Sequence, residues 1–564
     1  MSLRHRQHRV ALLPLDDRPV STRALRLLGR MVDYEIMLPP AEIIGRFDQP
    51  GDPEAAAHWL SAMASEVDSV LVSVDMLVYG GYVASRQTQV RTETAVQRLE
   101  SLAELRRQAP DTPIHALATI PPPEGIPLVG HDVGESRAVA RHAELVAQAG
   151  AAAASSGGAT ADEIADLRAV ISPDFLSRYH EMRRRNLTVN LRALEMAADG
   201  VLDSLVVGLE SPAAIGPHTQ ERDELLALVA ERGASRSVAC VDGYSQGAAV
   251  LVVRFVHEHM GTSPAIATIF PGVTNHAAGM AAAGMTPSES VRAQIVALGA
   301  SEVDDPADAD ICLYVNTPCG LSLESAAPGT ALYDQRRQQL REFAIDLSGR
   351  VASERLAALA DAAFPGAADE ALMRTLHDVK VDLTRLGAFA ARETLGATAG
   401  TALAQVCLRR IALRDKGAFD LAQAVGDLQP MRYLELLDSL IDSERSHIRS
   451  LFGRFAEDYL YQTRLRHRAA AYLTDLIASS PISLTAIASS AEEFVRTALS
   501  RAAGEFYIEH FLGRQAVAIG TNALRSGLML CELQEARVQL PWRRLAEVDV
   551  DLDFDIQLVA EPVE

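Results

Sequence analysis

The sequence predicts an α/β protein built on a mostly parallel sheet, a (β/α)-barrel-like arrangement being preferred over a doubly wound open sheet, with a C-terminal helical region and a terminal β-hairpin. Three observations carry this. Apolar runs such as Val10–Leu13 and Ser69–Val74 are short and unbroken, as strands buried on both faces are. Stretches of helical periodicity lie between them, which is the rhythm of βαβ units. Acids recur where the runs stop, and parallel strands deliver their following loops to one rim, where ligands bind.

The first run ends in Pro14-Leu-Asp-Asp-Arg-Pro19, so Asp16, Asp17 and Arg18 fall just beyond a strand. A helix over Ser21–Met31 and a strand over Tyr34–Leu38, stopped by Pro39-Pro40, complete a β-α-β beginning. Helix Asp52–Glu66 leads to strand Ser69–Val74, which hands over to Asp75, Tyr79, Gly80-Gly81, Ser85 and Arg86. The glycine pair allows a tight turn or close backbone approach. Helix Thr92–Gln108 precedes strand Ile114–Ile120, which stops at Pro121-Pro122-Pro123-Glu124.

Helical sequence over about residues 130–200 interrupts the pattern, itself broken at the featureless Gly150–Ala161. In the helix around Ser177–Ala198 the run Arg183-Arg184-Arg185 reads as a solvated face. Strands Ser204–Gly208 and Ser237–Val241 run into Glu210 and Asp242, with crossover helices Gln220–Glu231 and Gly247–Met260 on the outer faces. A weaker strand lies at Ala265–Phe270. Thr286-Pro-Ser-Glu289 has the threonine, first-turn proline and third-position acid of a capping box. Strand Asp310–Val315 runs into Asn316. Arg355–Ala360 suits a strand ending at Asp361 or a helix, Val379–Ala390 is ambiguous, and Glu393 opens a glycine-punctuated run to Gly400.

Beyond about Arg409 the pattern becomes long amphipathic helices, with Phe452, Phe455, Tyr459 and Tyr461 as a packing stripe. Ala536–Leu540 and Val548–Val559 alternate with period two and read as a half-solvated hairpin, Asp549, Asp551, Asp553 and Asp555 on its wet face. No glycine or closing glutamate follows at the spacing of a calcium loop. The expected organisation is an α/β domain over residues 1–408, carrying the site and the helical insertion, and a mainly helical region over 409–564.

At 564 residues the chain exceeds the size of one core, so two or three structural units are expected. Its formal net charge of −21 opposes nucleic acid and anionic membranes as partners. No apolar run approaches the roughly 20 residues that span a bilayer. The basic start MSLRHRQHR is followed by an apolar run that Asp16 ends too soon for a signal peptide. A cytoplasmic protein acting on a small molecule is expected, with self-association open. The five cysteines have no CxxC pair and read as small buried hydrophobes. No GxGxxG follows the first strand and no GxxxxGK[ST] occurs, so no cofactor is expected.

Five stretches carry a likeness: PLDDRPV at Pro14–Val20, DMLVYGGYVASR at Asp75–Arg86, YVNTP at Tyr314–Pro318, GTALAQ at Gly400–Gln405 and LPWRRLAEVDV at Leu540–Val550. Spread in order over nearly the whole chain, they resemble the bacterial family DUF4127, whose label implies relatives but no established activity. The chain departs from that family's pattern at Glu210-Ser211, at Gly243–Gln246 and at Ala391–Thr394.

Carboxylates at successive strand ends suit glycoside hydrolysis, in which one protonated acid donates to the leaving oxygen and a second carboxylate attacks or activates water. The catalytic candidates are Asp16, Asp17, Asp75, Glu210 and Asp242, with Glu210 and Asp17 as general acids and Asp75 or Asp242 as the charged partner. Arg18, Tyr79, Arg86, Glu124, Asn316 and Glu393 are candidates for holding sugar hydroxyls or an acidic substituent. No metal is assigned. A metal-dependent hydrolase is a second reading, using Asp16, Asp75, Asp242 and His131 or His276, though no HxH or HExxH spacing supports it. A non-catalytic sugar-binding or regulatory homologue is the third, favoured by the altered loops.

Overall fold

The computed structural model describes residues 8–86, 90–123, 133–152, 160–209, 211, 214–271, 284–317, 330–364, 366–417, 430–479, 484–519 and 526–560. The apolar runs are strands: β1 (His8–Leu13), β2 (Tyr34–Met37), β3 (Ser69–Ser73), β4 (Ile114–Ile120), β5 (Ser204–Leu209) and β6 (Val238–Asp242). They form one parallel sheet in the order β2-β1-β3-β4-β5-β6. Strands β7 (Ala265–Ile269), β8 (Ser301–Glu302), β9 (Ile311–Asn316), β10 (Ala357–Asp361) and β11 (Ala388–Ala391) form a second parallel sheet, β8-β7-β9-β10-β11.

The protein is therefore α/β and mostly parallel, but the preferred barrel closure is not what the strands build. Among the described residues the parallel strands form two open, doubly wound sheets, and each follows the strand order 2-1-3-4-5, the first with a sixth strand added. The physical reason lies between them. Helix Gly247–Met260 packs on β3, β4 and β5, while Leu395–Gly417 packs on β9, β10 and β11, and the two helices also meet each other. With Arg23–Met31 and Pro287–Ala297 they bury one core against both sheets: Val10, Leu71, Leu117 and Val206 from the first sheet share it with Leu313, Val315, Ala358 and Ala390 from the second. Helix Gly247–Met260 is buried without a break from Gly247 to Val253, as a helix sandwiched between layers must be. An outer helix of a barrel keeps a wet face instead.

Each sheet's other face has its own cover. Pro53–Met63, Thr92–Leu99, Ser101–Gln108 and Pro173–Ala198 cover the first, and their apolar faces make a separate core with Val70, Ala116 and Val207. The second is covered by Ala331–Ala352, Glu370–Val379 and the C-terminal helices Pro430–Arg454 and Leu484–His510. Phe452, Phe455, Tyr459 and Tyr461 are buried in this cover, the expected packing stripe. The helical segment Phe455–Leu465 is a π-helix, a form that is uncommon at this length and frequent at functional sites.

Thr286 and Glu289 make the expected capping box, Thr286 N donating to Glu289 at 2.8 Å and Glu289 N to Thr286 Oγ1 at 3.3 Å. The terminal hairpin belongs to a three-stranded antiparallel sheet of β12 (Gln515–Ile519), β13 (Ser526–Gln539) and β14 (Asp549–Ala560). Its row of acids is only half wet: Asp549 and Asp551 pair with Arg23, and Asp551 also with Arg449, whereas Asp553 and Asp555 are exposed. Among the described residues no helix is long and apolar enough to cross a membrane.

Candidate functional site

In doubly wound sheets a crevice opens beyond the strand ends where the strand order reverses. In the first sheet that point lies between β1 and β3. Past β1 the chain turns at once, because the Asp16 carboxylate accepts from Arg18 N at 3.1 Å, from Arg18 Nε at 2.8 Å and from Ser21 Oγ at 2.7 Å. Arg18 Nη2 adds a contact to the same carboxylate at 2.8 Å. Asp16 is thus buried and occupied in holding the turn, which presents its two neighbours to the rim.

Asp17 is the more available acid, its side chain 32% exposed. Trp542 Nε1 donates to Asp17 Oδ1 at 2.7 Å, and Arg46 Nε lies 3.8 Å from Oδ2. Burial raises the Asp17 pKa from its ordinary value, Trp542 opposes that rise, and the neighbouring Asp16 adds to it. The Arg18 guanidinium stands 5.1 Å from the Trp542 ring centre and 3.8 Å from Glu547 Oε1. Phe47 tilts against Trp542 at 5.1 Å, and Arg544 lies 5.0 Å over Phe47. Phe47 at φ 50° and Trp542 at φ 54° both adopt left-handed backbone, which is costly for bulky residues and concentrates at ligand sites.

Beside them, β3 ends in the short helix Val74–Tyr79, capped by Ser73 and closed by left-handed Gly80. Asp75 therefore sits in a helical first turn rather than in a loop, and it is buried. Thr119 Oγ1 donates to it at 3.0 Å. Burial pushes the Asp75 carboxyl up to about 6 against the opposing hydrogen bonds of Ser85 and Thr119 and the charge of Arg86. The chain then returns to β1, Tyr82 N donating to Leu15 O at 3.3 Å. Tyr82 stacks on Tyr244 at 4.3 Å, and Arg86 bonds the Tyr82 hydroxyl with its guanidinium 4.0 Å over that ring.

The arginine run of the insertion is not a solvated face. Arg183 and Arg185 are 4% and 3% exposed, and only Arg184 faces water. Strand β4 ends on prolines, whose carbonyls need donors that the prolines cannot supply to one another. Arg183 supplies them to Pro121 O at 3.0 Å and Pro122 O at 3.2 Å while gripping Glu221 at 2.7 and 2.9 Å. Arg185 bonds Ser85 O and lies 4.6 Å over the Tyr79 ring, so Tyr79 is buried under it.

Asp242, the last residue of β6, is a joint between the two sheets. Its Oδ2 accepts from Ser290 Oγ at 3.1 Å and from Gly396 N at 2.9 Å, and its carbonyl accepts from Gln294 at 2.8 Å. Burial raises this carboxyl to about 6, opposed by the hydrogen bonds from Gly396, Thr394 and Ser290. A raised carboxyl keeps its proton in the fold after the unfolded chain has released it, so its contribution falls as pH rises from about 4 to about 6. Asp242→Asn keeps an acceptor and has no proton to lose. Its stability relative to the native chain is expected to rise by on the order of 2 kcal/mol between pH 4 and pH 7, read from paired denaturation curves.

In the second sheet Asn316 is likewise bound inward, donating to Asp361 at 2.9 Å and to Asp369 at 3.2 Å, with Arg336 on Asp369. Burial, and then the charge of Asp369, push the Asp361 carboxyl up. Beyond β11, Arg392 at φ 85° pairs with Glu393 at 3.2 Å, Glu457 at 3.6 Å and Asp458 at 3.8 Å. Asp458 Oδ2 accepts from Ala391 N at 2.9 Å, so the π-helix caps this strand end. Glu393 also accepts from Ser245 Oγ at 2.5 Å. Glu547 joins the two rims: burial raises its pKa, while Arg18 from one sheet and Arg392 from the other both oppose that.

The structure thus gathers Asp17 and Arg18 with Trp542, Phe47 and Glu547, and links them through Arg392 to Glu393. Asp75, Tyr79 and Arg86 lie beside this group, buried around the Tyr82–Tyr244 stack, while Asp16, Asp242 and Asn316 are tied into the framework. Glu124 and Glu210, and the histidines His131 and His276, lie outside the described residues. Trp542, Glu547, Tyr82, Tyr244 and Arg392 were not among the candidates. The available signal was Pro541-Trp542 and Glu547 standing directly before the alternating end of the chain. No curated protein matches the sequence. A family model described as "Protein of unknown function (DUF4127)" matches residues 10–551, a span that holds both parallel sheets and the Trp542–Glu547 segment, and the chain belongs to that family.

Proposed function

We propose that this protein is a carbohydrate-active hydrolase that works at the β1 rim with Asp17 as the proton donor. The observation that carries the reading is the setting of Asp17: a partly exposed carboxyl whose pKa burial raises, beside the Trp542 and Phe47 rings and among Arg18, Arg46 and Arg544. A general acid must still hold its proton near the working pH, and burial is a common means to that end. Aromatic rings offer apolar surface to a sugar ring, and guanidinium forks suit hydroxyls or an acidic substituent.

Glu547, across Arg18, is the second carboxyl. Burial raises its pKa and Arg18 and Arg392 oppose that rise; its charged form is the one that attack on the sugar or activation of water requires. Asp17 gives its proton to the glycosidic oxygen as that oxygen leaves the anomeric carbon. Glu547 either adds to that carbon, from which water that gives its proton to the Asp17 carboxylate then displaces it, or takes a proton from the water that attacks the carbon directly.

Asp17→Asn keeps an acceptor for the Trp542 indole and loses the transferable proton. Against a panel of aryl glycosides, its kcat is expected to fall by about 10²–10⁴-fold, with thermal melting unchanged. If the wild type turns over no glycoside and no sugar shifts its melting, the carbohydrate reading is withdrawn. Binding without turnover is a second reading, favoured by the internal hydrogen bonds that occupy Asp16 and Asp242. Its signature is a melting temperature raised by a sugar that is never hydrolysed.

A further inference from the structure

On the outer side of the molecule, away from either rim, two helix ends meet. His377 stands in the last turn of helix Glu370–Val379, and Glu509 and His510 end helix Leu484–His510. His377 Nδ1 is 3.3 Å from Glu509 Oε1, and His510 Nε2 is 3.7 Å from Glu509 Oε2. One ligand atom from each residue can be chosen so that all lie within 4.8 Å of one another. We propose that these three side chains bind a first-row divalent transition ion of the zinc type, and that the ion fastens the C-terminal helix to the cover of the second sheet.

The chemistry is specific in three respects. Metal–ligand bonds of about 2.0–2.1 Å set tetrahedral ligand separations of about 3.3 Å, so the His377–Glu509 distance already fits, and His510 Nε2 lies 3.7 Å from the other Glu509 oxygen. Two imidazoles and one carboxylate form a donor set that suits zinc and its neighbours, whereas calcium and magnesium take mainly oxygen. Both helices also turn their C-terminal ends to this point, where the negative ends of their dipoles favour a cation. Phe506 packs 4.4 Å from the His510 ring and fixes it, while His377 and Glu509 remain 58% and 54% exposed and open to an ion from solvent. Arg514 faces His510 and is the charge that the ion must tolerate.

The test uses the full chain, stripped with a chelator and titrated with Zn²⁺ in a calorimeter, with Ca²⁺ in parallel. One equivalent of Zn²⁺ is expected to bind and to raise the melting temperature, with Ca²⁺ inert. Removing an outer-shell partner of a metal costs roughly 10–100-fold in affinity, so His377→Ala and His510→Ala are each expected to lose at least that much. Glu509→Gln, which keeps the shape of the side chain, is expected to weaken binding as well. All three variants should melt with the wild type when chelator is present. Absence of Zn²⁺ binding, binding that survives in the His377→Ala/His510→Ala double variant, or equal binding of Ca²⁺ would each overturn the assignment. None of these outcomes bears on the hydrolase reading, whose residues lie elsewhere.

Discussion

Asp458→Ala is expected to lower the folding stability by roughly 3–5 kcal/mol, the range seen when one partner of a buried ion pair is removed. The Asp458 side chain is fully buried between Arg392 at 3.8 Å and Arg454 at 4.0 Å, and it also accepts the amide of Ala391. Alanine would leave a buried N–H without its acceptor and the Arg392 and Arg454 side chains, 13% and 14% exposed, with one acid fewer beside them. Glu393 and Glu457 stay close to Arg392, which sets the expectation toward the lower end of that range. Asp458→Asn retains an acceptor for Ala391 and loses only the charge, so it should cost clearly less. Denaturation midpoints for the pair would separate the two contributions. Equal midpoints for the alanine variant and the native chain would show that the π-helix cap is not needed.

The second large effect is expected at Gly396. A methyl group there would stand 2.6 Å from both the Cβ and the carbonyl oxygen of Asp242, and 2.7 Å from Ser290 Oγ. None of these neighbours can easily give way, because Asp242 is fixed in β6 and Ser290 belongs to a buried helix face. Overpacking of this kind costs about 1–3 kcal/mol, and displacing the Gly396 amide weakens a hydrogen bond to a charged group worth about 1.5–3 kcal/mol. Gly396→Ala should therefore lose on the order of 3 kcal/mol. Ser290→Ala removes one hydrogen bond without adding an atom and should lose about 1 kcal/mol. If the two variants melted alike, close approach at the joint between the sheets would not be what requires glycine.

The strands were legible because burial on both faces leaves unbroken apolar runs, and proline or glycine marks where they stop. The division of those strands into two sheets was not. Acids follow parallel strands in either arrangement, so Asp16, Asp75 and Asp242 looked the same for a barrel as for open sheets. The distinguishing sign was the helix at Gly247–Met260, which has no wet face over Ala248–Val253 and so needs a layer on each side. The place of Asp17 and Arg18 just past β1 was legible from the abrupt strand end. The burial of Arg183 and Arg185 was not, because three adjacent arginines give no hint that proline carbonyls await them. Nor could Trp542 be paired with Asp17, since only the folded path of the whole chain brings them together.

That last contact has a consequence for biosynthesis. Asp17 and Trp542 are 525 residues apart, so a ribosome has released the aspartate long before it reads the codon for the indole. The rim around β1 stays without its aromatic ring and without Glu547 until then, and a nascent chain, or one clipped by a protease before Leu540, would carry both parallel sheets but an unfinished crevice.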